Sequence, residues 1–131
     1  MHAVAAELSR RGYDAAITLG NTPTIDIVCA SPKGTPFKVQ VKSASGPNWV
    51  RVRREHLIPP VDNDLFFIIV LIPKDVTEPF RFHILRHGEI CKNFSSQSPL
   101  RRDGKPLAPG GEGLAWAFVN AGANHWEKLP G

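Results

Sequence analysis

The stretch Thr24-Ile25-Asp26-Ile27-Val28-Cys29-Ala30, the loop Ser31-Pro32-Lys33-Gly34-Thr35 and the stretch Pro36-Phe37-Lys38-Val39-Gln40-Val41-Lys42-Ser43 read together as two strands joined at hairpin length. With the loop centred on Lys33, antiparallel pairing sets Thr24 opposite Lys42, Asp26 opposite Gln40 and Val28 opposite Lys38. Side chains alternate across a strand, so Ile25, Ile27, Cys29, Phe37, Val39 and Val41 form a core face. The other face collects Thr24, Asp26, Lys38, Gln40 and Lys42. Opposed residues lie about 4.5–5.5 Å apart at Cβ, so the Asp26 carboxylate and the Gln40 amide oxygen are expected to be able to share one metal ion. The alternative reading of these residues is a half-exposed hairpin whose solvent face happens to hold a carboxylate, an amide and two lysines.

On either side of the hairpin the chain alternates helical and extended patterns. Ala3 to Arg11 is rich in helix formers, carries Val4 and Leu8 on one face and stops at Gly12. Tyr13 to Leu19 reads as extended. Asn48 to Arg54 alternates Trp49, Arg51 and Arg53 with Val50 and Val52, a half-buried strand with a basic outer face. Asp64 to Ile72 is a continuous apolar run that suits a buried central strand, and Phe80 to Leu85 is another strand. His87 to Phe94 has helical character, and Ser98 to Gly113 is a Pro/Gly-rich loop bearing Arg101, Arg102 and Lys105. Leu114 to Val119 is expected to be extended and Ala123 to Leu129 to be helical.

The 131 residues fit one domain, with the hydrophobic content (42%) and charged content (21%) of an ordinary globular protein. Sixteen Lys and Arg against twelve Asp and Glu leave a net charge of only +4, but the surplus is local. Between Ile27 and Arg54 lie Lys33, Lys38, Lys42, Arg51, Arg53 and Arg54 and no acidic residue, so that stretch is +6 and the remainder −2. Lys38, Arg51, Arg53 and Arg54 are the candidate phosphate contacts, and Trp49 is a candidate for base stacking. A solvated strand face, or an interface for an acidic protein, would carry the same charges.

Cys29 and Cys91 stand alone, without the spacing of a zinc site, and leave a single disulfide open. The longest apolar run is far too short to span a bilayer, and Met1 leads into His-Ala-Val-Ala-Ala-Glu without the features of a signal peptide. A cytoplasmic protein is expected. Gly110-Gly111-Glu112-Gly113 lacks the Lys-Ser/Thr of a P-loop, and the five histidines show no persuasive metal spacing.

A helix with Glu7, a strand with Asp26 and a following strand with Gln40-Val41-Lys42 together resemble the PD-(D/E)XK nuclease superfamily. The likeness is strongest over residues 3–45, roughly a third of the chain. Gln40 stands where the motif has an acid, a departure that some branches, including certain homing endonucleases, share. The resemblance implies an α/β, restriction-endonuclease-like fold: a single domain with a mixed central β-sheet flanked by helices, the first helix on one face and C-terminal elements on the other. It also implies metal-dependent hydrolysis of DNA. Mg²⁺ (or Mn²⁺) would take oxygens from Asp26, Gln40, the Val41 carbonyl and, through water, Glu7, with Lys42 orienting the attacking water or neutralising developing charge. Two strands to cut and one site per chain imply a homodimer. A nucleic-acid-binding or assembly protein on the same fold, without catalysis, is the alternative.

Overall fold

A computed structural model describes residues 1–19, 25–96 and 111–131. Helix α1 (His2–Arg10) leads into β1 (Asp14–Ile17), β2 (Ile27–Ala30) and β3 (Pro36–Ala44). Next come β4 (Val50–Arg51), a 3-10 turn at Arg54–His56, β5 (Leu65–Leu71), β6 (Arg81–Arg86) and α2 (His87–Ser95). The chain continues through β7 (Gly113–Leu114), α3 (Trp116–Asn120) and a 3-10 turn at Trp126–Lys128. Thr24 and the part of the Pro/Gly-rich loop that bears Arg101, Arg102 and Lys105 lie outside the described residues.

Five strands form one mixed sheet in the order β1-β2-β3-β5-β6. β1 and β2 are antiparallel, as are β2 and β3; β3 and β5 are parallel, and β5 and β6 are antiparallel. The hairpin register places Val28 against Lys38 and Cys29 against Phe37, the pairing expected for a loop centred on Lys33. Gly34 takes φ +87°, a left-handed conformation that its missing Cβ makes inexpensive, and the Ser31 N–H donates to Thr35 O at 2.8 Å to close the loop. β5 lies between two strands and is buried along nearly its whole length, which explains its unbroken Leu-Phe-Phe-Ile-Ile-Val run.

Alternation along β3, β5 and β6 divides the core into two layers. On one face, Val4 and Leu8 of α1 pack with Ile27, Phe37, Val39, Phe66, Ile68 and Ile84, joined by Trp126 and Leu129. On the other, Phe67, Ile69 and Leu85 pack under Val50, Val52, Leu57, Ile90, Leu114 and Val119. C-terminal residues therefore serve both faces: Leu114 and α3 cover the second, and the Trp126–Lys128 turn returns to the first beside α1.

Two stretches depart from expectation. Leu114–Val119 is not extended; the strand ends at Leu114 and α3 begins at Trp116, because a continuous apolar run suits either structure and the helix buries Val119 fully. Of Asn48–Arg54, only Val50 and Arg51 form a strand, since β7 offers a two-residue partner outside the main sheet. The alternation itself is realised, with Val50 and Val52 buried and Arg51 exposed. Cys29 and Cys91 are both buried free thiols, and burial pushes the Cys29 thiol up to about 11. Among the described residues no helix is long and apolar enough to cross a membrane.

Candidate active site

β2 begins at Ile27, so Asp26 stands at the point where the pairing with β3 ends. Its N–H still donates to Val39 O at 3.0 Å, and its own carbonyl accepts the Thr18 N–H at 2.9 Å. Beyond that the side chain takes over from the backbone: Asp26 Oδ2 accepts the Val41 N–H at 2.8 Å. A carboxylate that receives a strand N–H lies in the plane of the sheet. In an antiparallel ladder the N–H and C=O of one residue point to the same side, so the Val41 carbonyl opens on the same edge.

This geometry corrects the expected common face. Gln40 and Lys42 do share a face with Lys38, whereas Asp26 is drawn into the strand edge and borders a cavity with Val41, Ser43, Val70, Ile72 and Phe80 on the α1 side. Lys42 borders a cleft on the opposite side with Arg51, Arg53, Arg54 and Glu55. A third hollow, bordered by Lys42, Ser43, Asn48, Trp49 and Arg51, shares Ser43 with the Asp26 cavity and both Lys42 and Arg51 with the cleft. Ser43 thus sits where the two sides of β3 meet.

Nor is the polar face of the hairpin a solvent face at Gln40. Packing of the second layer leaves Gln40 only 5% exposed, and its Oε1 has no hydrogen-bond partner among the described residues. Gln40 pairs in register with Phe67 on β5, and the Phe67 ring stands 6.0 Å from that of His56. His56 is 7% exposed with neither ring nitrogen hydrogen-bonded among the described residues, Nε2 lies 3.8 Å from Glu55 Oε1, and burial is the main reason its pKa is lowered. Nothing in the histidine spacing signals this, because the burial of His56 comes from the 3-10 turn folding onto β5. His87, also buried, is fully engaged: Nδ1 accepts the Asp62 N–H at 2.9 Å and Nε2 donates to His56 O at 3.0 Å.

The remaining candidates divide. Glu7 is held by Arg10 and Arg11, each at 2.9 Å, and the hydrogen bond from Arg10 is the largest influence holding its carboxyl below the usual range. It borders a hollow with Phe80, Phe82 and Trp126 on the α1 side and is not brought to Lys42. Lys38 forms an ion pair with Asp62, which lowers the Asp62 pKa. Arg53 lies 3.7 Å from Glu55, and the Arg54 guanidinium lies over the Phe94 ring. The stretch that is acid-free in sequence therefore acquires Asp62 and Glu55 in space. Lys42 and Arg51, which border one hollow, have no ion pair among the described residues.

As a metal site, the described residues supply one carboxylate with one oxygen engaged, a strand carbonyl on the same edge and a buried amide oxygen without a partner. No group of three or more His, Cys, Asp or Glu suited to a metal occurs among them. That donor set is thin for a cation held by protein alone. It fits Mg²⁺ better, which keeps several waters and is commonly held by one or two carboxylates plus substrate phosphate. No protein-family model, curated protein or solved structure matches the chain.

Proposed function

We propose that the chain is a metal-dependent nuclease of the PD-(D/E)XK kind, hydrolysing phosphodiester bonds in DNA on a restriction-endonuclease-like fold. One observation carries this reading: Asp26 closes the β2–β3 pairing with its carboxylate, while one strand away Gln40, two residues before Lys42, buries an oxygen that has no hydrogen-bond partner among the described residues. A buried acceptor without a donor costs about 1–3 kcal/mol. Its retention is understandable where a cation or its water supplies the missing contact.

In this reading Asp26 and the Val41 carbonyl would hold Mg²⁺ or Mn²⁺ at their shared edge, with the Gln40 amide reaching it from the other face of β3, and the ion would lower the pKa of a bound water and offset charge on the phosphate. Lys42 stands beside Arg51 with no competing ion pair among the described residues, so its ammonium is available to a phosphate oxygen or to the attacking water. Arg53 and Arg54 extend the basic surface along the backbone. Glu7 contributes only if it exchanges its arginine partners for a water of the site. A homodimer supplies the second site needed to cut both strands. Two buried free thiols accord with a reducing, cytoplasmic setting.

A second reading has its own support. Because Glu7 is tied to Arg10 and Arg11 and one Asp26 oxygen is tied to Val41, the same surface serves a protein that binds DNA without cutting it. Incubation of purified DNA with Mg²⁺ or Mn²⁺ separates the two. Metal-dependent cleavage lost in Asp26→Asn and Lys42→Ala supports the nuclease. Salt-sensitive binding that is indifferent to metal, with no cleavage, overturns it in favour of the binding protein.

A further inference from the structure

Next to Lys42, on the side away from the Glu55 carboxylate, lies a hollow of about 260 Å³ bordered by Lys42, Ser43, Asn48, Trp49 and Arg51. We propose that this hollow receives one unpaired nucleotide of a DNA strand, with its base on the Trp49 indole and its phosphate between Lys42 and Arg51. The proposal rests on the DNA-binding surface described above and names the form of substrate it takes: a strand that is single or locally opened.

Three observations converge. The first is charge: among the described residues, Lys42 and Arg51 have no ion pair and no acidic residue borders this hollow. The neighbouring cleft, by contrast, contains both Glu55 and Glu112. An anion is therefore favoured here over the adjoining surface.

The second is a fixed aromatic platform. Trp49 is 44% exposed, yet its Nε1–H donates to Gly111 O at 2.9 Å. Gly113 permits that placement, because a Cβ there would lie 2.9 Å from Trp49 Nε1 and 2.1 Å from Val50 O. An indole already held in position loses little freedom when a base stacks on it. Covering core is not its role, since its neighbours Val50 and Val52 are buried and Trp49 is not.

The third is size. At about 260 Å³ the hollow falls below the roughly 300–1,000 Å³ typical of sites that enclose drug-sized ligands. One base with its phosphate suits it, and a stacked base pair does not.

Labelled 12-nucleotide strands of identical charge, one of thymidines and one with abasic sites throughout, provide the test by fluorescence anisotropy at low salt. Wild-type protein is expected to bind the thymidine strand about tenfold more tightly, the contribution of one stacked base. Trp49→Ala should bring the two strands to equal affinity, and Trp49→Phe, which keeps a ring without the Nε1–H donor, should retain most of the difference. Arg51→Ala should weaken both strands alike. Equal wild-type affinity for the two strands, or an undiminished preference in Trp49→Ala, would overturn the proposal. Metal-dependent cleavage assayed alongside keeps the readings separate: cleavage without strand discrimination sinks only this inference, and discrimination without cleavage sinks only the nuclease.

Discussion

The Asp26 carboxylate accepts the Val41 N–H at 2.8 Å, so one side chain both ends the β2–β3 pairing and stands at the candidate metal edge. The two roles are separable by substitution. Asp26→Asn keeps an oxygen that can accept the N–H and should change stability by only a few tenths of a kcal/mol, whereas Asp26→Ala leaves the donor without that partner and should cost about 1 kcal/mol. Cleavage should disappear in both. Chemical denaturation of the two variants beside a cleavage assay gives the comparison; activity retained in Asp26→Ala would remove this residue from the site.

Gln40 makes a reciprocal case. Its buried Oε1 has no hydrogen-bond partner among the described residues, so Gln40→Leu, of similar volume and without the acceptor, should match or exceed wild-type stability by up to about 2 kcal/mol while losing metal-dependent activity. Gln40→Glu should strengthen Mg²⁺ binding by more than tenfold. At 4 Å and an effective dielectric of 20 a carboxylate attracts each unit of metal charge by about 4 kcal/mol, before the cost of burying it. Isothermal titration with Mg²⁺ in the presence of a non-cleavable DNA measures the change.

The hairpin was legible in the sequence because its signals are local. Loop composition, alternation and the position of Gly34 fix the register, and a misregistered pairing would turn Ile27, Val39 and Phe37 away from the core. The unbroken apolar run of β5 likewise announced a strand covered on both faces. What the sequence concealed depends on tertiary packing. Nothing around Gln40 reveals that the Arg54–His56 turn and β4 lie over that face, nothing in Arg-Glu-His-Leu announces a buried imidazole at His56, and α1 sits where Glu7 meets its own arginines. The sequence pattern puts Asp26 on the polar face with Gln40 and Lys42; its in-plane orientation instead follows from where β2 ends.

Acid should destabilise the fold through His56 and His83. Burial is the first cause that lowers both pKa values, and His83 also sits near Arg81, although its Nδ1 donates to Ile69 O at 2.9 Å. A neutral ring in the folded state, with a lowered pKa, gives stability that is complete above the ordinary histidine value of about 6.5 and is lost as pH falls through the folded values. Urea midpoints should therefore fall between pH 7.5 and 5.5, and the fall should be shallower in His56→Leu. An equal slope in that variant would show that His56 does not contribute.

Among the described residues Lys38 differs from Arg51 in having an ion-pair partner. Its ion pair with Asp62 is about one third exposed on each side, a setting worth no more than about 1 kcal/mol, and it occupies the cation. Lys38→Ala should consequently weaken DNA binding less than Arg51→Ala, and Asp62→Asn should strengthen it by releasing Lys38. Salt titrations of binding report the number of phosphate contacts directly, so Arg51→Ala should reduce the slope by about one and Lys38→Ala by less.

The nuclease assignment rests on a metal held at the edge that Asp26 and Val41 share. Crystals of the chain with Mn²⁺ and a DNA strand that resists hydrolysis, measured for anomalous scattering, address it most directly. The expected result is a Mn²⁺ peak within coordinating distance of the Asp26 carboxylate and the Gln40 Oε1, with Lys42 alongside the phosphate. DNA bound across Lys42 and Arg51 with no Mn²⁺ at Asp26 would contradict the assignment.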